Sequence, residues 1–400
     1  MLPFVVSRYL RPLRVGNALH VDDPIRGQSE LSQAEADTLS ALWDRTVAPQ
    51  RLEALLAQEG EDHAATQLRA LSDKGLLFAS DEASEHALRH ALESSLPDMP
   101  FVDQVELTNI CPMRCGFCPR GTPGLMRRPT GMMSLTLFEK LLSQLPAGQA
   151  QYRPLELHHL GESLLHPELP QFVALAKAAG LRTELSANPS LLTPALAASL
   201  LSAGLRRLVL SLDGMDNETL IAIRGPAAKY SKAEQHILDL LELADRMSEP
   251  PSIVIQMIAL QRNRGQRAEF LERWNGTGRA YVQAYIKPLD GHDPDLQEHN
   301  PAPLRYLCTY PFRSVVVLWD GRVVPCCRDD DARHVVGDLN EQSLREIWHG
   351  PRMMALRAAY WSQRFERGHL CHACPWGKAA FKDSTAERHP DNARAQPLAW

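Results

Sequence analysis

The chain of 400 residues has no cysteine among its first 110 positions, although it carries eight cysteines in all. Three of them (Cys111, Cys115 and Cys118) lie close together, and the other five lie in the last hundred residues. A disulfide scaffold rarely leaves so long a region without a cysteine. The distribution therefore favours metal ligands or redox groups over disulfides.

Long apolar runs are missing as well. Stretches such as "IVIQMIAL" end after about eight residues, whereas a membrane span needs roughly 18 or more. The N-terminal "MLPFVVSRYLRPLR" is too short, and too often interrupted by arginine, to resemble a secretion signal. We therefore expect a cytoplasmic protein that has no membrane partner.

The sequence also has no strongly basic region. Its formal net charge is −5, and residues 1–95 carry nine Lys or Arg against fifteen Asp or Glu, a net charge of −6. A nucleic-acid-binding surface needs clustered positive charge to neutralise phosphates. The composition therefore argues against a nucleic-acid partner.

The chain is longer than one hydrophobic core usually organises, and three patterns divide it. Residues 1–95 predict a strand pair, three amphipathic helices and a closing "GLLF" strand, which is a winged-helix-like arrangement. Residues 291–400 predict a small α+β domain with a hairpin at "SVVVLWDGRVVPCC", where Asp320 and Gly321 form the turn.

Between these regions, residues 96–290 alternate short β-rich runs with amphipathic helices. The six β-rich runs are "FVDQVELT", "LELHHL", "RTELSAN", "LVLSLD", "SIVIQMIAL" and "AYVQAYIKP". This alternation is typical of an α/β fold with a parallel sheet. Six strands are too few for a closed eight-stranded barrel, so we expect a partial (β/α)6 TIM-like barrel that is open along one side.

The segment "NICPMRCGFCPRG" follows the first of these strands and holds Cys111, Cys115 and Cys118. Loops at the carboxyl ends of parallel strands build active sites in βα architectures. Three close thiolates can bind three irons of a [4Fe–4S] cluster and leave the fourth iron open. A zinc ion with a distant fourth ligand is the alternative that the spacing leaves.

"CPMRCGFC" resembles the CxxxCxΦC signature of the radical S-adenosylmethionine (SAM) superfamily, with Phe117 as the aromatic residue. The resemblance covers roughly residues 101–290. It implies that Cys111, Cys115 and Cys118 are the catalytic cysteines, and that SAM binds the open iron through its amino and carboxylate groups.

Later segments resemble the SAM contacts of that family in the right order. "HHLGES" resembles the GGEP-type motif and implies that Gly161 and Glu162 bind the SAM amino group, although the leading glycine and the proline are absent. "LSANPSLLT" resembles the "TNGTLL" segment and implies that Ser186 and Asn188 lie near the ribose.

The last of these segments are "LSLDG" and "IRG". By the same resemblance, Ser211 suits a ribose hydroxyl, Arg224 suits the SAM carboxylate, and Asp213 shapes the turn. Each motif alone is weak, because a strand that ends in a turn and a single arginine are common in proteins. Their order along the chain is what supports the resemblance.

A second set of cysteines comprises Cys308, Cys326, Cys371 and Cys374, which together could complete one metal centre. Zinc and ordinary core packing are the alternatives. "VVGDLNEQSLREIWHGPRM" resembles the linker of SPASM and twitch domains, which carry auxiliary iron–sulfur clusters. With no cysteine after "CHACPWGKAAFK", the resemblance implies the shorter twitch type and one auxiliary [4Fe–4S] cluster. Cys327 is a buried neighbour, a redox group, or a ligand in place of Cys326.

The N-terminal pattern resembles the PqqD-like peptide-recognition element of enzymes that modify ribosomally made peptides. In that family a leader peptide adds a strand to the hairpin, and backbone hydrogen bonds provide the affinity. A domain that only packs on the barrel is the alternative.

The resemblances together imply a radical SAM oxidoreductase. An external donor such as flavodoxin or ferredoxin supplies one electron, SAM is cleaved to a 5′-deoxyadenosyl radical, and this radical abstracts a substrate hydrogen. The first expected substrate is a precursor peptide, which the enzyme crosslinks or dehydrogenates. The alternatives are a dehydrogenase or epimerase of a small polyol or aminocyclitol, and a non-catalytic, metal-stabilised binding protein.

Overall fold

The computed structural model describes residues 89–287 and 308–362 continuously. It also describes 5–6, 11–15, 18–23, 27–32, 35, 61–74, 77–78, 365 and 369–374. By its contacts the chain divides into two units. One comprises Met1–Leu96, Pro301–Phe312 and Ala359–Trp400, and the other comprises Pro97–Asn300 and Arg313–Ala358. The three-domain division at 1–95, 96–290 and 291–400 stays a prediction.

The elements are numbered here in chain order. The strands are β1 Val5–Val6, β2 Arg11–Val15, β3 Ala18–Asp23, β4 Gly27–Leu31, β5 Leu77–Phe78, β6 Phe101–Val105, β7 Leu155–Glu156, β8 Thr183–Ala187, β9 Arg207–Ser211, β10 Ser252–Ile258, β11 Val282–Lys287, β12 Ser314–Val317, β13 Arg322–Val324 and β14 Gly337–Asp338. The helices are α1 Glu61–Asp73, α2 Leu135–Leu142, α3 Gln149–Tyr152, α4 Leu169–Ala178, α5 Pro194–Ala203, α6 Asn217–Arg224, α7 Tyr230–Asp245, α8 Arg267–Asn275, α9 Tyr310–Arg313, α10 Leu344–Trp348, α11 Pro351–Ser362 and α12 Leu370–Ala373.

In the first unit, β2, β3 and β4 form an antiparallel sheet, and β1 pairs with β5. The predicted strand pair is present as β2 and β3, and the third predicted helix is α1, followed by β5. The segment "SELSQAEADTLSALWD" predicts the first helix, but its first three residues lie in β4. Ser32 and Glu35 exchange hydrogen bonds as in a capping box, and most of the predicted helix beyond them lies outside the described residues.

The segment "TVAPQRLEALLAQEG", which predicts the second helix, lies outside the described residues. So does the segment near 288–306, whose Pro and Asp content predicts a connector. The winged-helix arrangement of residues 1–95 therefore stays a prediction.

In the second unit, β6 to β11 form a parallel sheet in chain order. Each of the six β-rich runs overlaps one of these strands, so the predicted parallel α/β sheet is confirmed. The predicted hairpin is confirmed too, because β12 and β13 pair antiparallel, with Val316 opposite Val324.

The hairpin also extends the barrel sheet, which the sequence did not predict. Strand β12 pairs in parallel with β6, and β14 follows β13 to complete nine strands. An open barrel would leave the backbone groups of β6 unpaired on one side, and β12 satisfies them. The N–H of Glu106, just beyond β6, donates to the carbonyl of Val317 at 2.8 Å.

Local signals fix where the helices around this sheet begin. Ser134, Thr193 and Asp216 accept hydrogen bonds from the first turns of α2, α5 and α6. Gly204 ends α5 in a left-handed conformation at φ 100°. Within the described residues, no helix is both long and apolar enough to cross a membrane.

A buried ion pair anchors the segment that follows β6. Arg128 donates to both carboxylate oxygens of Glu106, and its side chain is 2% exposed while that of Glu106 is fully buried. Burial raises the pKa of Glu106, and the charge and hydrogen bonds of Arg128 oppose this rise. Arg128 Nε also donates to the carbonyl of Asp330 at 2.8 Å. The pair thus ties the segment after β6 to the segment after β13.

We expect Arg128→Ala to lower the free energy of unfolding by about 3 kcal/mol or more, because it leaves the Glu106 carboxylate buried without its partner. Urea unfolding would measure the change. The matched control is Arg127→Ala, which removes an exposed arginine next in sequence and should change stability by less than about 0.5 kcal/mol. Equal effects of the two substitutions would contradict this account.

Candidate active site at the carboxyl ends of the strands

The loop that carries Cys111, Cys115 and Cys118 begins directly after β6 and is closed at its base. Asn109 accepts from the N–H of Gly131 at 2.9 Å and donates to the carbonyl of Pro129 at 2.8 Å. Thr108 Oγ1 donates to the carbonyl of Gly131 at 2.8 Å. These bonds join the two ends of the loop, so the cysteines between them are held at the end of the strand.

Inside the loop the chain turns tightly around the second and third cysteines. The N–H of Cys118 donates to the carbonyl of Cys115 at 3.1 Å, and the N–H of Gly121 donates to the carbonyl of Cys118 at 2.9 Å. A Cβ atom at position 121 would overlap the carbonyl of Cys115 and lie 2.7 Å from its nitrogen. Glycine is therefore required for the backbone to fold back on Cys115.

The three thiols are neighbours in a largely buried setting. Burial raises the pKa of Cys111 to about 11 and that of Cys115 to about 12, and it also raises the pKa of Cys118. The neighbouring Cys118 contributes to the rise at Cys111 and Cys115, and the guanidinium of Arg224 opposes the rise at all three. At neutral pH the free thiols are therefore protonated, and metal binding must release their protons.

The loop after β7 packs directly on the cysteine loop. The N–H of Glu162 donates to the carbonyl of Ile110 at 2.9 Å. Gly161 has φ +94°, and a Cβ atom there would overlap the carbonyl of Thr108 and lie 2.6 Å from Cα of Asn109. Only glycine combines this conformation with this close approach.

The carboxyl group of Glu162 connects two loops. Its Oε2 accepts from the N–H of Asn188 at 2.8 Å, and its Oε1 accepts from the N–H of Leu164 at 3.2 Å. Burial raises the pKa of Glu162 to about 7, against the opposing effect of those two N–H groups and of Arg224. Glu162 is thus poised to change protonation near neutral pH.

Asn188, which follows β8, has an unused hydrogen-bond donor. Its Oδ1 accepts from the N–H of Ser190 at 2.9 Å, but its Nδ2 is buried without a partner. A buried amide without a partner costs free energy, so this donor fits a ligand group. Ser186 and Ser211 lie on β8 and at the end of β9 in the same sheet, and Ser211 is buried.

A second buried ion pair completes the site. Arg224 Nε donates to Asp213 Oδ2 at 2.6 Å, and Asp213 Oδ1 accepts from the N–H of Ile258 at 2.7 Å. The Arg224 guanidinium lies 5.7 Å from the centre of the Phe117 ring. The backbone carbonyl of Arg224 accepts from the N–H of Arg114 at 2.8 Å. Arg224 therefore contacts the cysteine loop through both its side chain and its backbone.

The structure also shows a polar row that the sequence analysis missed. Gln104, Glu156, Glu184 and Arg207 occupy matching register positions on β6, β7, β8 and β9. Gln104 Nε2 donates to Glu156 Oε2 at 2.6 Å, and Arg207 pairs with Glu184 at 2.9 Å. The sequence does contain a signal for this row. Parallel strands covered on both faces are usually continuous apolar runs, so polar residues within such strands are unusual.

The second set of cysteines is distributed over both units. Cys326 and Cys327 follow β13 in the second unit, and Cys327 packs against the buried cluster of Val316, Leu318 and Val324. The remaining three, Cys308, Cys371 and Cys374, belong to the first unit, where Cys308 packs against Leu92, Phe312 and Tyr360. The joint ligand set and the role of Cys327 stay predictions.

Comparison with known families identifies the class. The radical SAM superfamily model matches residues 105–272, and the SPASM model, an iron–sulfur cluster-binding domain, matches residues 308–375. The chain thus contains a radical SAM domain followed by an SPASM domain. The predicted radical SAM and auxiliary-cluster domains are confirmed, and these domains imply a [4Fe–4S] cluster, SAM and auxiliary iron–sulfur clusters.

Individual relatives are distant and differ in their substrates. An S-adenosyl-L-methionine-dependent 2-deoxy-scyllo-inosamine dehydrogenase from Niallia circulans is 22% identical over 68% of this chain and 91% of its own length. A PqqA peptide cyclase from Xanthomonas euvesicatoria is 23% identical over 76% of this chain and 92% of its own length. The structure of Streptococcus suis SuiB bound to S-adenosylmethionine shares the fold, with a TM-score of 0.52 at 15% identity and 94% of both chains covered.

The residues present fit a cluster with SAM beside it. Within the described residues, no three side chains of His, Cys, Asp or Glu are arranged to hold a single metal ion. A [4Fe–4S] cube binds each thiolate on a different iron, so its ligands need only be neighbours around it. The unpaired donor of Asn188 adds a site for a polar ligand group next to Glu162.

We expect Gly161→Ala to destabilise the protein by about 2–4 kcal/mol and to lower its iron content, because the new Cβ meets the backbone at Thr108 and Asn109. Iron and sulfide analysis after anaerobic reconstitution would measure the loss. Gly124→Ala is the matched control, since Gly124 has φ +81° but nothing within 4 Å of the added Cβ. If both variants lost iron equally, conformational strain alone would explain the effect.

The polar row predicts a pH dependence of stability. Burial and the neighbouring Glu156 raise the pKa of Glu184 from 4.5 to about 7. The folded chain therefore holds this proton more tightly than the unfolded chain. The resulting stabilisation is complete below about pH 4.5 and is lost as the pH rises through about 7.

Glu184→Gln should remove this dependence. Between pH 5 and pH 8 the free energy of unfolding of the parent should fall, relative to the variant, by up to about 3 kcal/mol. Urea unfolding of both chains in the same cluster-free state would measure it. The control is Glu139→Gln at an exposed position of α2, and parallel pH curves for parent and Glu184→Gln would contradict the prediction.

Proposed function

We propose that this radical SAM enzyme oxidatively modifies a ribosomally made precursor peptide. The observation that carries the radical chemistry is the set of three neighbouring, largely buried thiols beside Glu162 and Arg224 at the carboxyl ends of the strands. In this proposal Cys111, Cys115 and Cys118 hold the [4Fe–4S] cluster and leave one iron for SAM.

The remaining residues of the site bind and orient SAM. Gly161 and Glu162 receive its amino group, and Arg224 receives its carboxylate. The ribose lies near Ser186, Asn188 and Ser211, with the unpaired Nδ2 of Asn188 as one donor. When bound, the cluster and SAM supply one-electron chemistry that removes a hydrogen atom from the substrate.

The chain's own contribution is to position these groups and to exclude water. Asp213 holds the Arg224 guanidinium through Nε, so its orientation is set before a ligand arrives. The Arg224 guanidinium lies over the ring of Phe117 and is buried. Burial of the three thiols keeps water away from the centre.

Cys308, Cys326, Cys371 and Cys374 would hold one auxiliary [4Fe–4S] cluster, which would supply an acceptor for one electron from the substrate. The net reaction would then be an oxidation. An external donor such as flavodoxin or ferredoxin provides the first electron. A single cluster agrees with the number of cysteines, since only five lie between residues 308 and 375.

Two observations favour a peptide substrate. The PqqA peptide cyclase aligns over more of this chain than the dehydrogenase does, 76% against 68%. In the first unit, β2 and β4 are the outer strands of an antiparallel sheet. An outer strand can accept a leader peptide as an added strand, which is the role proposed for residues 1–95.

A small aminocyclitol is the second candidate substrate. The observation that favours it is the alignment with the 2-deoxy-scyllo-inosamine dehydrogenase, which extends over 91% of that protein. The polar row of Gln104, Glu156, Glu184 and Arg207 also offers charged and amide groups suited to a polyhydroxylated ring.

We expect the anaerobically reconstituted full chain to cleave SAM when reduced, and to remove two hydrogens from a peptide encoded beside its gene. Mass spectrometry would follow both products, with 2-deoxy-scyllo-inosamine as the competing substrate. Cys115→Ala should abolish SAM cleavage, because the cluster loses one of its three ligands. Cys327→Ala is the control and should retain SAM cleavage.

The outcomes separate the candidates. Oxidation that requires the leader part of the peptide supports the first proposal, and oxidation of the aminocyclitol alone replaces it with the second. A fully loaded protein that cleaves no SAM under reducing conditions is not an enzyme of this class.

A further inference from the structure

Two adjacent histidines after β7 use their rings differently. His158 Nδ1 accepts from the N–H of Ser186 at 3.1 Å, so its other nitrogen carries the proton. That nitrogen, Nε2, lies 3.5 Å from Glu156 Oε2. Both nitrogens of His158 therefore have partners within the protein.

His159 has only one partner. Its Nδ1 lies 2.9 Å from Gln104 Oε1, whereas its Nε2 is buried and makes no hydrogen bond. Among the described residues, no donor reaches Nε2. A buried nitrogen in this state costs free energy unless something else binds it.

The hydrogen-bond chain fixes the tautomer of His159. Glu156 is ion-paired with Arg153, so its carboxylate can only accept. Gln104 must therefore turn its amide nitrogen toward Glu156, at 2.6 Å, and its oxygen toward His159. It follows that His159 Nδ1 carries the proton and donates to that oxygen, which leaves Nε2 with a free lone pair.

The surroundings limit what can bind to this lone pair. Burial, together with the charge of Arg128, lowers the pKa of His159 to about 3, so the ring is neutral. The same positive charge disfavours a cationic ligand beside the ring. The position therefore suits a neutral donor, which is a hydroxyl or an amide N–H.

His159 lies on the same loop after β7 as the proposed SAM-binding residues Gly161 and Glu162. It lies three residues after Glu156 of the polar row and two residues before Gly161 of the proposed SAM site. We propose that His159 is a substrate-binding residue whose Nε2 accepts a hydrogen bond from a hydroxyl or backbone amide N–H of the substrate. The inference deepens the proposed function by assigning one contact to the substrate, and it applies equally to a peptide and to an aminocyclitol.

Two substitutions at His159 separate the roles of the two nitrogens. His159→Asn keeps a donor near the position of Nδ1 for Gln104 but removes the acceptor at Nε2. His159→Gln extends an acceptor to the region of Nε2 but loses the short bond to Gln104. A purely structural role therefore predicts that asparagine is the better replacement, and substrate binding predicts that glutamine is.

The test uses the holoenzyme and whichever of the two substrates it oxidises. We expect His159→Asn to raise KM about tenfold with kcat within about twofold, as the loss of one hydrogen bond to the substrate requires. The KM of His159→Gln should stay within about threefold of the parent value. His158→Gln is the matched control, because both nitrogens of His158 are already engaged. It should lower the urea midpoint without changing KM.

Substrate-free SAM cleavage keeps this test separate from the proposed function. If the parent cleaves no SAM, the proposed function has failed. If all variants cleave SAM but His159→Asn leaves KM unchanged, a water molecule occupies the position and the inference is overturned. A KM that is higher for His159→Gln than for His159→Asn overturns the inference as well.

A second measurement needs no substrate. Nitrogen-15 NMR of histidine-labelled protein at pH 7 should show His159 neutral, with Nδ1 protonated and Nε2 bare. The His159→Gln protein identifies the signal by its absence. A proton on Nε2 would refute the argument from the hydrogen-bond chain.

Discussion

The buried pair of Asp213 and Arg224 determines the arrangement of the whole site. Asp213 accepts from the backbone of β10 as well as from Arg224, so the guanidinium is fixed to the sheet. Arg224 in turn contacts the cysteine loop through Phe117 and Arg114. Asp213 and Glu162 together raise the pKa of Arg224 although burial alone would lower it. Strand ends that are distant in sequence are thereby brought to one centre.

The parallel sheet could be predicted from sequence because its signal is local. Each of the six runs is rich in apolar or β-branched residues and is separated from the next by a helical pattern, as at "SIVIQMIAL". The attachment of β12 to β6 could not be predicted, since it depends on which edge of the open barrel the later hairpin reaches. The pairing of β12 with β6 joins segments about 200 residues apart, and neither sequence contains a pattern that predicts the other as its partner.

The candidate site shows the same division. The cysteine spacing and the order of the glycine, asparagine and arginine motifs identified the family that the domain comparison then confirmed. The pairing of Asp213 with Arg224 was not predicted, because "SLDG" alone suggests only a turn. The two residues come together as an ion pair only in the folded chain. The role of His159 could not be predicted either. Its unpaired nitrogen can be recognised only from the structure, where Gln104 lies opposite Glu156 and contacts His159.

The elevated pKa values of the three clustered thiols have a consequence for the protein before it acquires iron. Thiolates, not thiols, react with oxidants and exchange with disulfides. An empty site whose sulfurs stay protonated is slow to form sulfenic acid or a disulfide between neighbours. The newly made chain is therefore protected from oxidation at these cysteines until a cluster binds and the thiols lose their protons.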